Sequence, residues 1–187
     1  MILLERPLDL PTVPVTARVP LEVRMPVRTM SQEYLDFRKD TRATTVRRRL
    51  EAGHWYATAH FEGRLVYVRW IGIGDSYEYY IGCNFNMSPE EVYAYDLFVA
   101  PDLRGQNIAT SVANQVYQYL HGAGYRRMIT TIIPETKASL RVSEKLGNII
   151  IGKAGYYKLG PWKKIFCRTV PGSVPPKLSL ATTNTEE

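Results

Sequence analysis

The chain is poor in the residues that bind metals or form disulfides. Among 187 residues there are 2 cysteines and 3 histidines. Cys83 and Cys167 stand far apart and match no metal-ligand spacing. A disulfide framework of the small secreted kind is therefore excluded. Two thiols in a chain of this size point to a reducing compartment, with one long-range disulfide as the alternative. His54 and His60 flank one strand-like run and His121 closes a helix-like one, so the histidines form no constellation and no metal site is predicted. No run of ~18 apolar residues occurs, so no membrane-spanning helix is expected. Met1 to Leu10 carries acidic residues and prolines, unlike the basic-then-apolar layout of a signal peptide. Together these absences lead us to expect a cytoplasmic protein. Gly-x-Ser-x-Gly, Walker and His-Glu-x-x-His motifs are also missing, and no internal repeat is visible.

The length fits one domain, and an apolar fraction of 45% is enough for a sizeable core. The formal net charge of +6 suits anionic ligands or partners without choosing among them. A local absence is more informative. From Gly105 to Tyr125 there is no Asp, Glu, Lys or Arg. Within that stretch Ile108, Val112, Val116 and Leu120 recur at helical spacing, with Ala109, Ala113 and Tyr117 in the adjacent row. Ahead of it, Ala94 to Val99 reads as a strand broken by Pro101 and Asp102. A helix start usually carries an acid that complements its unpaired N–H groups. Here that place is open to an anion from outside, with Arg104 just before the turn.

The wording LFVAPDLRGQNIAT resembles the acyl-CoA loop of the GNAT superfamily of N-acyltransferases. That pattern is Arg or Gln, two residues, Gly, one residue, then Gly or Ala. Arg104 fills the first place and Ala109 the last, while Asn107 replaces the usual Gly. Asn tolerates left-handed backbone angles better than most residues. Downstream, ETKASLRVSEKLGN resembles the family's later helix: Ser139, Glu144, Lys145, Leu146 and Gly147 match, whereas Thr136, Ser143 and Asn148 replace the usual Asn, Tyr and Phe. The resemblance covers roughly Ser31 to Arg168. It implies an α/β (α+β) fold: a twisted, mixed, mostly antiparallel sheet with a splayed parallel strand pair and about four flanking helices. It also implies an N-acetyltransferase that moves an acetyl group from acetyl-CoA to a primary amine by direct attack. The alternative is a catalytically weak acyl-CoA-binding or regulatory module, suggested by Ser143 and Asn107.

Three segments follow from composition. Met1 to Val27 carries five prolines before its end, which excludes a helix, disfavours a central strand and marks an N-terminal arm; Val19 to Val27 could hold an edge strand. Residues 28–170 form the acyltransferase-like domain. After Pro171 the chain is rich in Pro, Ser, Thr and Glu, which predicts a disordered tail over 171–187. Inside the domain, Ser31 caps one or two helices ending at Gly53, and Arg42, Arg47, Arg48 and Arg49 read as a solvated face. His54 to Gly74 is a hairpin, and Tyr79 to Phe85 another strand. Arg126 to Pro134 supplies a buried parallel strand, so Ala94 to Ile133 reads as a right-handed βαβ unit. Ala138, Val142 and Leu146 give the later helix its inner row, and strands over Asn148 to Gly152, Gly155 to Leu159 and Lys163 to Thr169 close the domain.

Acyl transfer to an amine requires a polarised thioester carbonyl, a deprotonated amine and a departing thiolate. The resemblance assigns the first task to a main-chain N–H at a strand bulge near Leu97, Phe98 and Val99. It assigns the diphosphate to Arg104, Gly105, Gln106, Asn107, Ile108, Ala109 and Thr110, with Ser139 and Ser143 lining the rest of the acetyl-CoA site. For the base, Asp96 is nearest in sequence to the carbonyl site, with Glu78 and Glu135 as alternatives. For the acid, Tyr156 or Tyr157 would stand in for the phenol that Ser143 lacks, or the thiolate leaves unaided. Tyr77, Glu78 and Tyr80 lie where acceptor-binding residues sit in the family. The acceptor is a small molecule or a peptide amine. The lack of a reader motif argues against nucleic acid, and the arm leaves a homodimer open.

Overall fold

The computed structural model describes residues 1–160 and 162–180. The chain begins with strand β1 (Ile2–Pro7), crosses the molecule, and returns as edge strand β2 (Glu22–Val27). Helix α1 (Gln32–Phe37) starts at Ser31, whose Oγ accepts from the Tyr34 N–H at 3.1 Å. Helix α2 (Ala43–Glu51) buries Val46 and ends before Gly53, whose φ of +81° suits a residue with no Cβ. The hairpin β3 (Trp55–Phe61) and β4 (Arg64–Ile73) turns through Glu62 and Gly63, both at positive φ. Short strands β5 (Ser76–Glu78) and β6 (Cys83–Asn86) precede β7 (Glu91–Val99). A 3-10 turn, Pro101–Leu103, leads to helix α3 (Ile108–Gly122), then β8 (Arg127–Ile132), α4 (Lys137–Lys145), β9 (Ile149–Leu159), β10 (Trp162–Thr169) and β11 (Lys177–Leu180).

Eight strands form one sheet in the order β10-β9-β1-β8-β7-β4-β3-β2, and β11-β6-β5 form a small second sheet. In the large sheet β7 and β8 run parallel and the other described pairs run antiparallel. This is the mixed sheet that the sequence led us to expect. The apolar stripe of α3 packs on one face, where Ile108, Val112, Ala113, Val116, Tyr117 and Leu120 meet Ala57, Val92, Ala94 and Met128. On the other face α1 and α2 cover an aromatic cluster of Tyr34, Tyr56 and Trp70. Beside them β6 lays Cys83 and Phe85 on Leu3, Tyr93 and Ile129. Both cysteines are unbonded thiols, and burial pushes the Cys83 thiol up to about 11.

The structure departs from the sequence reading in several places. The segment set apart as an arm supplies β1, inserted between β8 and β9. Its prolines fall outside the run Ile2 to Arg6, and Pro7 stands last in the strand, where no ladder bond needs its nitrogen. Glu5 accepts from Arg127 at 2.9 Å, and Arg6, 3% exposed, donates to the carbonyls of Leu10 and Pro11, fastening the crossing segment. Of the segment read as a tail, Lys177–Leu180 pairs with β6; residues 181–187 lie outside the described residues. The strand expected over Tyr79 to Phe85 divides, because Gly82 at φ +64° turns the chain between β5 and β6. Two expected strands merge into β9, and Ala138 of α4 faces solvent, its place in the inner row taken by Ser143.

Candidate active site

The site is built around an irregularity in β7. Val68 pairs with Phe98 and Trp70 with Tyr95, so Arg69 of β4 opposes two residues, Asp96 and Leu97. This is a β-bulge, with Asp96 at φ +49°. In a regular strand Tyr95 and Asp96 would point to opposite faces. The extra residue turns both side chains to the α1–α2 face, where Tyr95 stacks with Trp70 and Asp96 meets Arg38 and Arg49. The parallel ladder between β7 and β8 ends at Ala94 and Thr130, and Thr130 Oγ1 donates to the Ala94 carbonyl at 2.7 Å. Beyond that bond the β8-facing edge of Tyr95 to Val99 pairs with no strand among the described residues.

On the α1–α2 face this opening meets a cleft of about 620 Å³, lined by residues of the α1–α2 connection, the β5–β6 turn and the ends of β7 and β8. Asp96 accepts from Arg38 Nη1 at 2.8 Å through one oxygen and from Arg49 Nη1 at 2.6 Å through the other. Arg38 also holds Asp40 through two bonds of 3.0 Å. Burial opposes charge on Arg38, but Asp40 and Asp96 outweigh it and move its pKa upward. Arg49 lies over the rings of Trp70 and Tyr95 at 5.1 and 5.0 Å. Across the cleft, Glu78 Oε2 accepts from the hydroxyls of Tyr93 and Thr131, and Oε1 accepts from the Tyr80 N–H at 2.9 Å. Burial, then the Glu78 charge, holds the Tyr93 phenol well above its usual range. Burial raises Tyr95 likewise; its hydroxyl is 2.8 Å from His54 Nδ1.

The other face carries α3 and the loop before it. Gly105 and Asn107 lie at φ +82° and +59°, so Asn107 adopts the left-handed angles for which its side chain is suited. Among the described residues, no main-chain N–H from Gly105 to Thr110 donates to a main-chain carbonyl. A Cβ on Gly105 would meet nothing within 4 Å. The first turn of α3 has no acid, and the Arg104 guanidinium lies 6.0 Å from the Phe98 ring. The crossing segment packs alongside: Arg18 N–H donates to the Gln106 carbonyl and Asn114 to the Val13 carbonyl.

The structure thus brings Glu78 and Asp96 into one cleft, with Tyr77 and Tyr80, and Leu97, Phe98 and Val99 into the strand beside it. Tyr156 and Tyr157 stand apart. Both are exposed on β9, with Lys163 Nζ 4.6 Å from the Tyr156 ring and Tyr157 stacked on Phe166. Ser139 and Ser143 lie on α4, Ser139 half-buried and Ser143 buried. Glu135 is exposed in the turn before α4. Sequence reasoning missed Arg38, Tyr93 and Tyr95, and placed Arg49 on a solvated face. Arg49 is 12% exposed instead, because its carboxylate partner lies 47 positions away in the bulge. It also missed Arg69, a guanidinium 5% exposed on β4 whose hydrogen bond reaches Thr130 Oγ1 at 3.4 Å and which forms no ion pair among the described residues.

The family model for the GNAT acetyltransferase family matches residues 25–147. The chain belongs to the GNAT family. Solved GNAT structures share its fold. An aminoglycoside N-acetyltransferase AAC(6')-Iy in complex with CoA superposes with a TM-score of 0.59 at 22% identity, covering 79% of this chain and 99% of its own. The same enzyme with the bisubstrate analogue CoA-S-monomethyl-acetylneamine gives 0.51 at 22%, covering 68% and 90%. Aminoglycoside 6'-N-acetyltransferase AAC(6')-Ih from Acinetobacter baumannii gives 0.55 at 18%, covering 75% and 99%. A search of curated proteins gives no match.

Proposed function

We propose that this GNAT protein transfers an acetyl group from acetyl-CoA to the primary amine of a small molecule. The observation that carries the reading is the two-sided opening between β7 and β8. Unpaired N–H groups ahead of α3 lie on one face, and a cleft holding a prepared carboxylate lies on the other. The loop suits a diphosphate: it offers main-chain donors, has no acid to repel the ligand, and has Arg104 beside it. The N–H groups at the bulge, Leu97 to Val99, hydrogen-bond the thioester arm and its carbonyl oxygen. The neighbours solved with CoA and with a bisubstrate analogue support this placing of donor and acceptor.

The base is Glu78. Its three bonds come from neutral donors, which orient the carboxylate, fill Oε2 and leave Oε1 a free lone pair for the proton. Asp96 has both oxygens engaged by guanidinium groups and serves as the clamp that holds the bulge. In the reaction the amine nitrogen forms a bond to the acetyl carbon and the carbon–sulfur bond breaks. Glu78 takes the ammonium proton before attack, the sulfur leaves as a thiolate, and the second proton shed by nitrogen as the amide forms passes through water to that thiolate. A thiol of pKa near ~8.5 can leave without a phenol beside it, so Tyr156 has no part in the step. Thiol release from acetyl-CoA, followed with a panel of amines, tests the reading. Glu78→Gln should lower kcat/KM by about 10²–10⁴-fold with the Kd for acetyl-CoA unchanged, and Tyr156→Phe should change neither. No binding of acetyl-CoA at millimolar ligand would overturn the assignment. Tight CoA binding with no turnover on any amine would favour the non-catalytic module.

A further inference from the structure

The charges lining the cleft do not suit a polycation. Its side-chain cations are Arg38, Arg42 and Arg49, and its anions are Asp40, Glu78 and Asp96, so the side-chain charge cancels. Most of these charges are already spent on each other: Asp40 and Asp96 are bonded to Arg38 and Arg49. One charge of each sign is left. Glu78 is held by neutral donors alone. Arg42, also in the lining, is exposed and forms no ion pair among the described residues. The lining also takes Tyr77 from β5 and Tyr79 and Tyr80 from the β5–β6 turn, exposed by 40%, 52% and 51%. Tyr77 packs edge-on to Tyr79 with ring centroids 4.8 Å apart, and Arg48 donates to the Tyr79 hydroxyl, so this wall is braced before any ligand arrives. Exposed aromatic surface facing a cleft marks an apolar or aromatic ligand body.

We infer that the acceptor is a small amine with an oxyanion, carboxylate or phosphonate, at its far end and an apolar or aromatic body between. This rests on the transferase reading. The ammonium loses its proton to Glu78 and attacks the thioester as described above, while the oxyanion pairs with Arg42 and the body lies against the tyrosines. An aminoglycoside or polyamine brings several ammonium groups to a cleft with one carboxylate to spare.

Two assays separate this inference from the reading beneath it. The first is thiol release with a series of ω-amino carboxylates, 4-(aminomethyl)benzoate and aminoalkyl phosphonates, each against its uncharged counterpart (alkylamine, benzylamine), with spermidine and neamine as polycations. The second is calorimetric binding of the same amines in the presence of CoA. An oxyanion-bearing amine should exceed its counterpart by about tenfold in kcat/KM and in affinity, as one charge-assisted contact at a partly exposed site allows. The advantage should vanish in Arg42→Gln and persist in Arg47→Gln, an exposed residue of the same helix outside the cleft. The carboxylate and phosphonate arms show which oxyanion is preferred. Equal use of the uncharged amines, preference for neamine or spermidine, or an unchanged ratio in Arg42→Gln would each overturn the inference and leave the transferase standing. Arg42-dependent binding of oxyanion amines with no acetyl-CoA bound would overturn the transferase and leave the cleft assignment standing. If no amine binds or reacts, both fall.

Discussion

Replacing Asp96 by Asn tests the clamp most directly. Asn preserves the shape of the side chain and tolerates the φ of +49°, so the change removes charge alone. It takes the counter-ion from Arg38 and Arg49, whose side chains are 7% and 12% exposed. Breaking a buried ion pair costs about 3–5 kcal/mol. Two features reduce that figure here: Asp96 is itself 20% exposed, and Arg38 keeps Asp40. We therefore expect a loss of about 2–3 kcal/mol, which for a chain of this length lowers Tm by about 5–10 °C. Urea denaturation should show a lower midpoint at an unchanged slope. A cycle with Arg49→Met should return a coupling of about 2 kcal/mol, because the double variant no longer strands a buried cation. A loss below about 0.5 kcal/mol, or no coupling, would refute the clamp. If Asp96 were the base instead, kcat would fall by about 10²–10⁴-fold at unaltered stability.

Other perturbations separate the parts of the site. Asn107→Gly should leave acetyl-CoA affinity intact because the turn stays left-handed. Asn107→Val should cost about 1–2 kcal/mol and weaken donor binding, since a β-branched residue resists those angles; calorimetry distinguishes the two. Arg69→Met removes a buried guanidinium that has no carboxylate partner among the described residues. It should raise stability by about 1–3 kcal/mol, and a lower Tm would show that the charge is compensated. Burial lowers the pKa of His54 below its ordinary 6.5, a charge on Arg49 adding to the effect. The folded state therefore binds the proton less well than the unfolded chain. The stability this contributes is complete above pH ~6.5 and is lost as pH falls through the folded value. A Tm series from pH 8 to 5 should slope less steeply in His54→Gln.

Much of the architecture could be read from local pattern. Helix α3 was visible because four apolar residues recur on one stripe over a stretch free of formal charge, and its burial follows from that periodicity. The loop ahead of it was legible for the same reason: main-chain donors need no particular side chain, only a turn that glycine or asparagine permits. β1 was not legible, because a proline count over twenty-six residues hides a short apolar run free of proline. The strand in Lys177–Leu180 was hidden by a polar composition, and it exists through pairing with β6. In the site, Glu78 and Asp96 were named as carboxylates, yet their surroundings could not be told apart from spacing alone. What separates them is which donors reach each oxygen, and those donors come from α1, α2, the β5–β6 turn and β8.

The amino-acid order by itself determined the acid-free helix start, the βαβ unit and the apolar faces, since each depends on neighbours within a few residues. The tertiary structure alone decided where the bulge falls, that it turns Asp96 toward two arginines, and that one carboxylate and one guanidinium in the cleft are left without an opposite charge among the described residues. Those outcomes depend on strand register and on side chains meeting across tens of positions, and only the folded chain sets both.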